Sequence, residues 1–553
     1  MLTVRASAHR LGGTTGVRVT GWNLADVFDT VAATVPDAPA VVQGTRRLSW
    51  RELDERAQRM AVALSDSGLV RGDKVVQHLR NRSEYLESFM GSLKASLVPV
   101  NSNYRYGAEE LTHLWRDCDA RAVVFSGSFT ATVERVRPTV PDVLLWLWVD
   151  DGVGACPEWA TSYESVAGAA AAAPARIWER DGDDLVLLYT GGTTGLPKGV
   201  MWRQDDLLVL LGNAAGGRYP DEPDLAYARA RVPARGRRHL PAAPLMHGAG
   251  SLTCLPVLAR GGTVVFLESE SFDAAELLDT VEREAVDAVS WVGDAFARPV
   301  LAALDERPGR DLASWSLVTS GGALFSDDVK RRLHEHLPGL MIADVYGSSE
   351  ALAAARSVSQ SGDAPAVRDF SSSGNVVVLD DEGAEVPPGS GTIGRVAYTG
   401  RLPLGYYRDQ RKSEETFRVV NGRRCSFTGD FATVTPEGRI SLLGRGSSCI
   451  NTGGEKVYPE EVEEVLKRHP AVDDAAVLGV PDERFGERIV AAVQLAPGQD
   501  LDVDVLRDHV RQHLASYKVP REVVGIPSVP RGPSGKLDAV AVRELLGAAP
   551  ART

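Results

Sequence analysis

The sequence predicts an α/β protein, with a large N-terminal domain of largely parallel sheets and a small α+β domain behind it. Over the first 440 or so residues, short apolar runs alternate with segments of helical spacing, the pattern of βαβ units. Beyond about residue 446 the alternation gives way to a compact unit of roughly 100 residues, an ordinary small-domain size. The full length of 553 residues leaves room for about three or four folding units.

Taken in order, residues 40–42, 74–78, 122–125, 144–149, 185–189, 263–267 and 316–320 read as short buried strands. Residues 50–67, 109–118 and 273–284 read as helices between them, with apolar positions three and four apart. Residues 167–174 (AGAAAAAP) are low in complexity and read as a surface helix or a linker. In the small unit, residues 451–454 read as a turn and 459–468 as a helix. Pro459 suits the first helical position, glutamates crowd the first turns, and Lys467 and Arg468 complement the C-terminal end of the dipole. Pro470 stops the helix. Strands at 475–480 and 488–495 and a helix at 503–515 complete the unit.

Composition excludes several classes. With 44% hydrophobic and 24% charged residues the chain has ample material for a core. No apolar run approaches the ~18 residues that span a bilayer, and the N-terminus lacks the apolar centre of a secretory signal. Cys118, Cys156, Cys254, Cys425 and Cys449 are scattered without C-x-x-C pairs, which argues against a disulfide framework and against a zinc site. The expected location is the cytoplasm. A formal net charge of −13 disfavours nucleic acid as a partner. Within that acidic chain Arg229, Arg231, Arg235, Arg237 and Arg238 form a basic run. It reads as a solvated loop, or as a contact for the phosphates of a large anionic cosubstrate.

Residues 187–200 (LLYTGGTTGLPKGV) are the most informative stretch. An apolar strand runs into Thr190, Gly191, Gly192, Thr193, Thr194, Gly195 and then Lys198. Glycine lets backbone approach an anion closely, while N–H groups, hydroxyls and an ammonium supply donors and charge. This is not a Walker A loop, because Gly199 stands where that motif has Ser or Thr after its lysine. Downstream, in order, come SGGA (Ser320, Gly321, Gly322, Ala323), DVYGSSE (Asp344, Val345, Tyr346, Gly347, Ser348, Ser349, Glu350), FTGD ending at Asp430, LGRGS around Arg445, GGEK starting at Gly453 and Gly454, and PRGPSGKLD containing Lys536.

YTGGTTGLPKG and the ordered segments after it resemble the adenylate-forming superfamily of acyl-CoA ligases, peptide-synthetase adenylation domains and beetle luciferases. The resemblance spans roughly residues 24 to 537, and Gly191 replaces the family's usual Ser. It implies a large adenylation domain (1–445) that includes a β-barrel-like part, a hinge at 446–447 and a mobile lid domain (448–553). It further implies ATP, Mg²⁺ and CoA as cofactors. On the matching positions, 190–195 and Lys198 would hold phosphate, and Gly321, Gly322, Ala323, Asp344, Val345, Tyr346, Gly347 and Ser349 the adenine. Tyr346 offers a ring for a purine, Asp344 an acceptor for its amine, and Glu350 a hard oxygen ligand for Mg²⁺. Asp430 would take the ribose hydroxyls, Arg445 the nucleotide beside the hinge, and Gly453 and Gly454 the pantetheine tunnel. Lys536 would neutralise charge as the carboxylate attacks the α-phosphorus. His247, in PLMHGAG, would gate the acid, and WVGDAFARP (291–299) would wall the pocket.

MWRQDD (201–206), VGDAFARP and INTGGEKVYPEEVE (450–463) are most similar to actinobacterial ligases, including those for steroid side-chain acids. The resemblance therefore implies a small-molecule carboxylic acid as partner and an acyl-CoA as product. A carrier-protein phosphopantetheine as thiol acceptor, a non-catalytic nucleotide-binding homologue and a homodimer stay open.

Overall fold

The structure is a computed structural model that describes residues 21–169, 178–190, 197–323, 325–362, 369–372, 374–445, 450–452, 455–482, 486–514, 516–532 and 537–547. Three sheets organise them. An eight-stranded sheet carries the parallel strands Lys74–His78, Val98–Asn101, Ala120–Ser126, Leu145–Val149 and Leu185–Thr190. A fourteen-stranded sheet has two halves. Its parallel half runs through Pro39–Gln43, Thr263–Phe266, Arg238–Pro241, Ala288–Trp291, Leu317–Gly321 and Met341–Ser348. Its antiparallel half continues through Ala351–Ser359, Asp369–Ser372, Ile440–Arg445, Arg423–Val434 and Gly394–Tyr398, in the part of the chain expected to be barrel-like.

The parallel strands are covered on both faces. Thr263–Phe266 and Ala288–Trp291 are buried at every position, as parallel strands between layers must be. On one face, helices Ala274–Glu284, Asp294–Glu306 and Asp327–His336 pack Val281, Val300 and Leu333 against Val289, Val318 and Ile342. The opposite face carries the helix Gly248–Leu258 and the cavity described below.

Arg445 ends a strand of the large sheet, and Ile450 begins one in a separate five-stranded sheet of the small unit; the expected hinge at 446–447 lies outside the described residues. Strands Val472–Asp482 and Gly486–Leu495 form its long central pair. Helices Pro459–Lys467 and Val503–His513 cover it through Val462, Val465, Leu506 and Val510. The reading of 451–454 as a turn is corrected here. Ile450–Thr452 and Glu455–Val457 are paired strands, with Gly453 and Gly454 between them outside the described residues. Segments of three residues carry too little of a two-residue period to be seen in sequence.

Across the two units, Arg298 of the Asp294–Glu306 helix donates to Asp473 at 2.8 Å. Inside the large domain, Lys330 donates to Asp344 at 3.0 Å, both nearly excluded from solvent, tying the Asp327–His336 helix to the Met341–Ser348 strand. Burial pushes the Asp344 carboxyl above the usual range, against the pull of Lys330. Lys330→Met should lower stability by about 3–5 kcal/mol, because it strands a buried carboxylate, whereas Lys330→Met combined with Asp344→Leu should recover most of that. Thermal unfolding followed by circular dichroism checks both; an unmoved midpoint in the single variant would contradict the pairing.

Candidate active site

The phosphate-loop segment joins strands Leu185–Thr190 and Lys198–Arg203, which pair antiparallel so that Thr190 opposes Lys198. The tip itself, Gly191 to Leu196 with Gly192, Thr193, Thr194 and Gly195, lies outside the described residues. Gly199 is glycine because a Cβ there would sit 2.6 Å from the Tyr189 ring on the facing strand.

Lys198 Nζ donates to Asp409 Oδ2 at 2.8 Å, and this bond holds the Asp409 carboxyl below its ordinary range. The same ammonium lies 5.7 Å from the centre of the Tyr406 ring. The Tyr406 hydroxyl in turn donates to Glu350 Oε1 at 2.8 Å. Burial, then the neighbouring Glu350 charge, push the Tyr406 hydroxyl up, so it stays a donor at neutral pH. One aromatic side chain therefore touches both the phosphate-loop lysine and the carboxylate expected to bind Mg²⁺. It is placed by the short strand Gly405–Tyr406, which adds to the Lys198–Arg203 edge. Trp202 of that edge donates to the Ser349 carbonyl at 2.8 Å and fixes the turn before Glu350. Asp409 and Tyr406 were not singled out in the sequence, since nothing local marks them; their roles come from a strand pairing some two hundred residues away in sequence.

A cavity of about 1850 Å³ opens beside these groups. At its upper end Thr190, Pro197, His247, Gly321, Gly322 and Ser349 line it together with Val345, Gly347 and Glu350. His247 is the residue before the Gly248–Leu258 helix. Gly250 must be glycine there, since a Cβ would lie 2.4 Å from the Pro244 carbonyl oxygen. Trp291 and Val292 form part of the wall, as expected for WVGDAFARP. From this end the cavity runs down the sheet between Leu252 and Val257 on the helix and Thr319, Leu317, Ala343 and Met341 on the strands. His239 is one polar break in that wall, 3.2 Å from both Thr253 Oγ1 and Ser290 Oγ. Burial lowers its pKa to about 3, so it is neutral at physiological pH.

Asp344, Tyr346, Asp430 and Ala323, expected at the adenine and ribose, sit beside residues that line the cavity. Strand side chains alternate, so Met341, Ala343, Val345 and Gly347 face the cavity while Asp344 turns to the helices and pairs with Lys330. The Asp344 carboxylate, expected to accept from an exocyclic amine, accepts from Lys330 in this structure. Tyr346 packs against Phe370 and Tyr398, with ring centroids at 5.6 and 6.1 Å, and its hydroxyl lies beside Asp430. Asp430 is buried and accepts from Thr428, whereas its neighbours Thr428, Gly429 and Phe431 line the cavity. Its strand register places it opposite Arg445. Ala323 packs at the edge of the helix-side core. Gly453, Gly454 and Lys536 lie outside the described residues. The MWRQDD segment is structural: Gln204 accepts from the Leu24 N–H, and Asp205 and Asp206 both bind Arg401.

The donor set fits the expected metal. Magnesium takes one or two carboxylates and completes its shell with phosphate and water, and Glu350 offers one such carboxylate at the nucleotide end. No group of three or more His, Cys, Asp and Glu among the described residues forms an all-protein metal cage.

Residues 28–407 match the family of AMP-binding enzymes, and residues 461–536 match the AMP-binding enzyme C-terminal domain. The chain belongs to the AMP-binding enzyme family. It is 42% identical over 538 residues to a medium/long-chain-fatty-acid–CoA/3-oxocholest-4-en-26-oate–CoA ligase of Mycobacterium tuberculosis, covering 96% of this chain and 97% of that protein. It is 39% identical over 543 residues to a 3-oxocholest-4-en-26-oate–CoA ligase of Rhodococcus rhodochrous, with coverage of 96% and 97%. In three dimensions it matches a crystal structure of an anthranilate CoA ligase in complex with anthranoyl-AMP at a TM-score of 0.81, over 95% of this chain and 97% of that one; at 23% identity this speaks for the fold. No helix among the described residues is long and apolar enough to cross a membrane.

Lys198 and Asp409 are 40% and 33% exposed, so their pair should contribute at most about 1 kcal/mol to stability. A double-mutant cycle with Lys198→Ala and Asp409→Asn, read by chemical denaturation, should give a coupling in that range, while Lys198→Ala raises the KM for ATP at least about tenfold. A coupling of several kcal/mol with an unchanged KM would make Lys198 a structural lysine instead.

Proposed function

We propose that this protein is an ATP-dependent, AMP-forming acyl-CoA ligase whose acid is a long fatty acid or a steroid side-chain acid. The observation that carries the reading is the cavity. It joins the ends of the phosphate-loop hairpin and Glu350 to an apolar trough running the length of the parallel strands. A nucleotide head with a hydrocarbon tail fits both halves at once, and the mycobacterial and rhodococcal relatives bear names for such acids.

A carboxylate resists thiol attack because its oxygen is a poor leaving group. Attack of the carboxylate on the α-phosphorus of ATP releases pyrophosphate and gives a mixed anhydride with AMP. The CoA thiol then adds to the carbonyl and AMP departs. In this scheme Lys198 steadies the departing pyrophosphate, and Glu350, held by Tyr406, would hold Mg²⁺, which would neutralise phosphate charge. His247 sits where the carboxylate meets the helix Gly248–Leu258. Tyr346 and Asp430, neighbours in the structure, serve the adenosine from the side of the sheet edge. Lys536 enters for the first step only. Rotation of the small domain about 446–447 then withdraws it and brings the 453–454 loop to line the thiol path, a step that can limit turnover.

Incubation with ATP, Mg²⁺, CoA and a panel of aliphatic, aromatic and steroidal acids, with thioesters identified by mass, tests the proposal. Acyl-CoA from long aliphatic or steroidal acids is expected. Thioester only on a phosphopantetheinylated carrier would assign the enzyme to carrier loading, and no acid-dependent pyrophosphate release would make it a non-catalytic homologue. Lys536→Ala should slow adenylation by at least about a hundredfold while leaving thioester formation from supplied acyl-adenylate within a few-fold of normal. Equal loss in both steps would contradict the division of labour.

A further inference from the structure

The apolar trough does not end in the core. At the N-terminal edge of the parallel strands it reaches a second rim carrying Arg235, Arg237 and Arg260, with Asp287 beside them. The basic run of the sequence divides here. Arg231 bonds the Tyr227 hydroxyl and the Gly216 carbonyl, and Arg238 pairs with Glu284. Both are occupied with holding loops together. Arg235, Arg237 and Arg260 form no ion pair among the described residues, and the Asp287 carboxylate accepts from the Arg238 backbone N–H. Arg235 and Arg237 are exposed and Arg260 is half-buried.

These three guanidinium groups are not on a slack loop. A Cβ on Gly236 would fall 2.2 Å from the Gly261 carbonyl oxygen, and one on Gly262 would fall 2.6 Å from the Arg237 carbonyl oxygen. The two backbone segments touch, and the Thr263 N–H donates to the Arg237 carbonyl at 2.8 Å. Only glycine permits this approach, so the backbone that carries Arg235 and Arg237 is held against the backbone next to Arg260 at the mouth. The rise of the Met341–Ser348 strand sets the separation from the chemistry. Six steps from Gly347 to Met341, both cavity-lining, span about 20 Å at 3.3 Å per residue.

We infer that this rim is a specificity site for a hydrogen-bond-accepting oxygen, a ketone or a second carboxylate, on the end of the acid remote from the reacting carboxylate. Arginine offers several donors in a fixed fork and cannot lose its charge. The lining between the two ends decides against the phosphates of CoA as the occupant. Leu252, Val257, Leu317, Ala343 and Met341 suit a hydrocarbon skeleton, and His239 and Thr253 among them already bond each other and Ser290, so the amides of a pantetheine arm would meet a largely apolar lining there. The inference rests on the acyl-CoA ligase reading and narrows its substrate to acids oxygenated at both ends. A 3-oxo steroid with a side-chain carboxylate has that form.

The test compares three acids: a 3-oxo steroid side-chain acid, the same skeleton lacking the 3-oxygen, and an unsubstituted long-chain fatty acid. Relative kcat/KM is measured for the unaltered enzyme, for Arg235→Ala, Arg237→Ala and Arg260→Ala, and for Arg237→Lys. At least one alanine variant should lose about tenfold or more on the 3-oxo acid with the other two acids and the KM for CoA within about twofold, and the lysine variant should recover part of the loss. Equal losses on all three acids, no loss on any, or a raised KM for CoA would overturn the assignment while leaving the ligase reading intact. Absence of acyl-CoA from every acid with the unaltered enzyme would overturn the ligase reading, and this inference with it.

Discussion

Everything in the large domain follows from the register of its parallel strands. His239 sits beside Ala288, Trp291 beside Ser320, Ser320 beside Asp344 and Gly321 beside Val345. Because parallel strands share a direction, this lateral alignment gathers the carboxyl ends Trp291, Gly321 and Gly347 along one edge and Arg238, Leu317 and Met341 along the other. Open α/β sheets bind ligands outside the carboxyl ends of their strands, and the nucleotide-side groups lie there. Alternation along the same strands leaves one face for the helices and one for the apolar trough. A register slip of one residue would exchange Ala343 with Asp344 and put a carboxylate in the trough.

Charged and polar pairs, one of them buried, then link what the register arranges. Lys330–Asp344 ties the central strand to its covering helix, and Lys198, Asp409, Tyr406 and Glu350 link two strands and a turn around the phosphate loop. The contact to the small domain is of another kind. Arg298 reaches Asp473 from a helix whose preceding Gly293 N–H bonds the Ser320 hydroxyl. Asp327, facing Glu464 and Arg468 of the small domain, is raised to about 6, chiefly by burial. Partly exposed ion pairs are worth little individually, which suits the rotation of the small domain proposed above. The small domain has its own core around Val462, Val477 and Val510.

The strands and helices of the large domain that were read in the sequence were legible because each is a short apolar run or a segment of helical spacing, whereas Arg238–Pro241, Ala288–Trp291 and Ser83–Lys94 were not read. The strand expected at 74–78 and the helix expected at 273–284 are found as Lys74–His78 and Ala274–Glu284. The ordered glycine and carboxylate segments likewise pointed to one site, and Gly321, Gly347, Glu350, His247 and Thr190 do meet at one cavity. What could not be read was which way a side chain points. Asp344 and Val345 are adjacent in one motif and lie on opposite faces, a fact that exists only once register is set. Asp409, Tyr406 and Lys330 were invisible because each acquires meaning from a partner on another element. The arginines of the 229–238 run looked alike in sequence, and packing gave them separate tasks.

The central claim is that one sheet face aligns the nucleotide and the whole length of the acid. A crystal structure with a non-hydrolysable acyl-adenylate analogue bearing a long acyl chain tests this most directly. The account predicts the carbonyl carbon between His247 and Gly321, and the acyl chain running down the Thr319–Leu317 and Ala343–Met341 strands toward the rim of Arg235 and Arg237. An adenylate bound elsewhere, or an acyl chain that leaves the sheet without passing Ala343 and Met341, would contradict it.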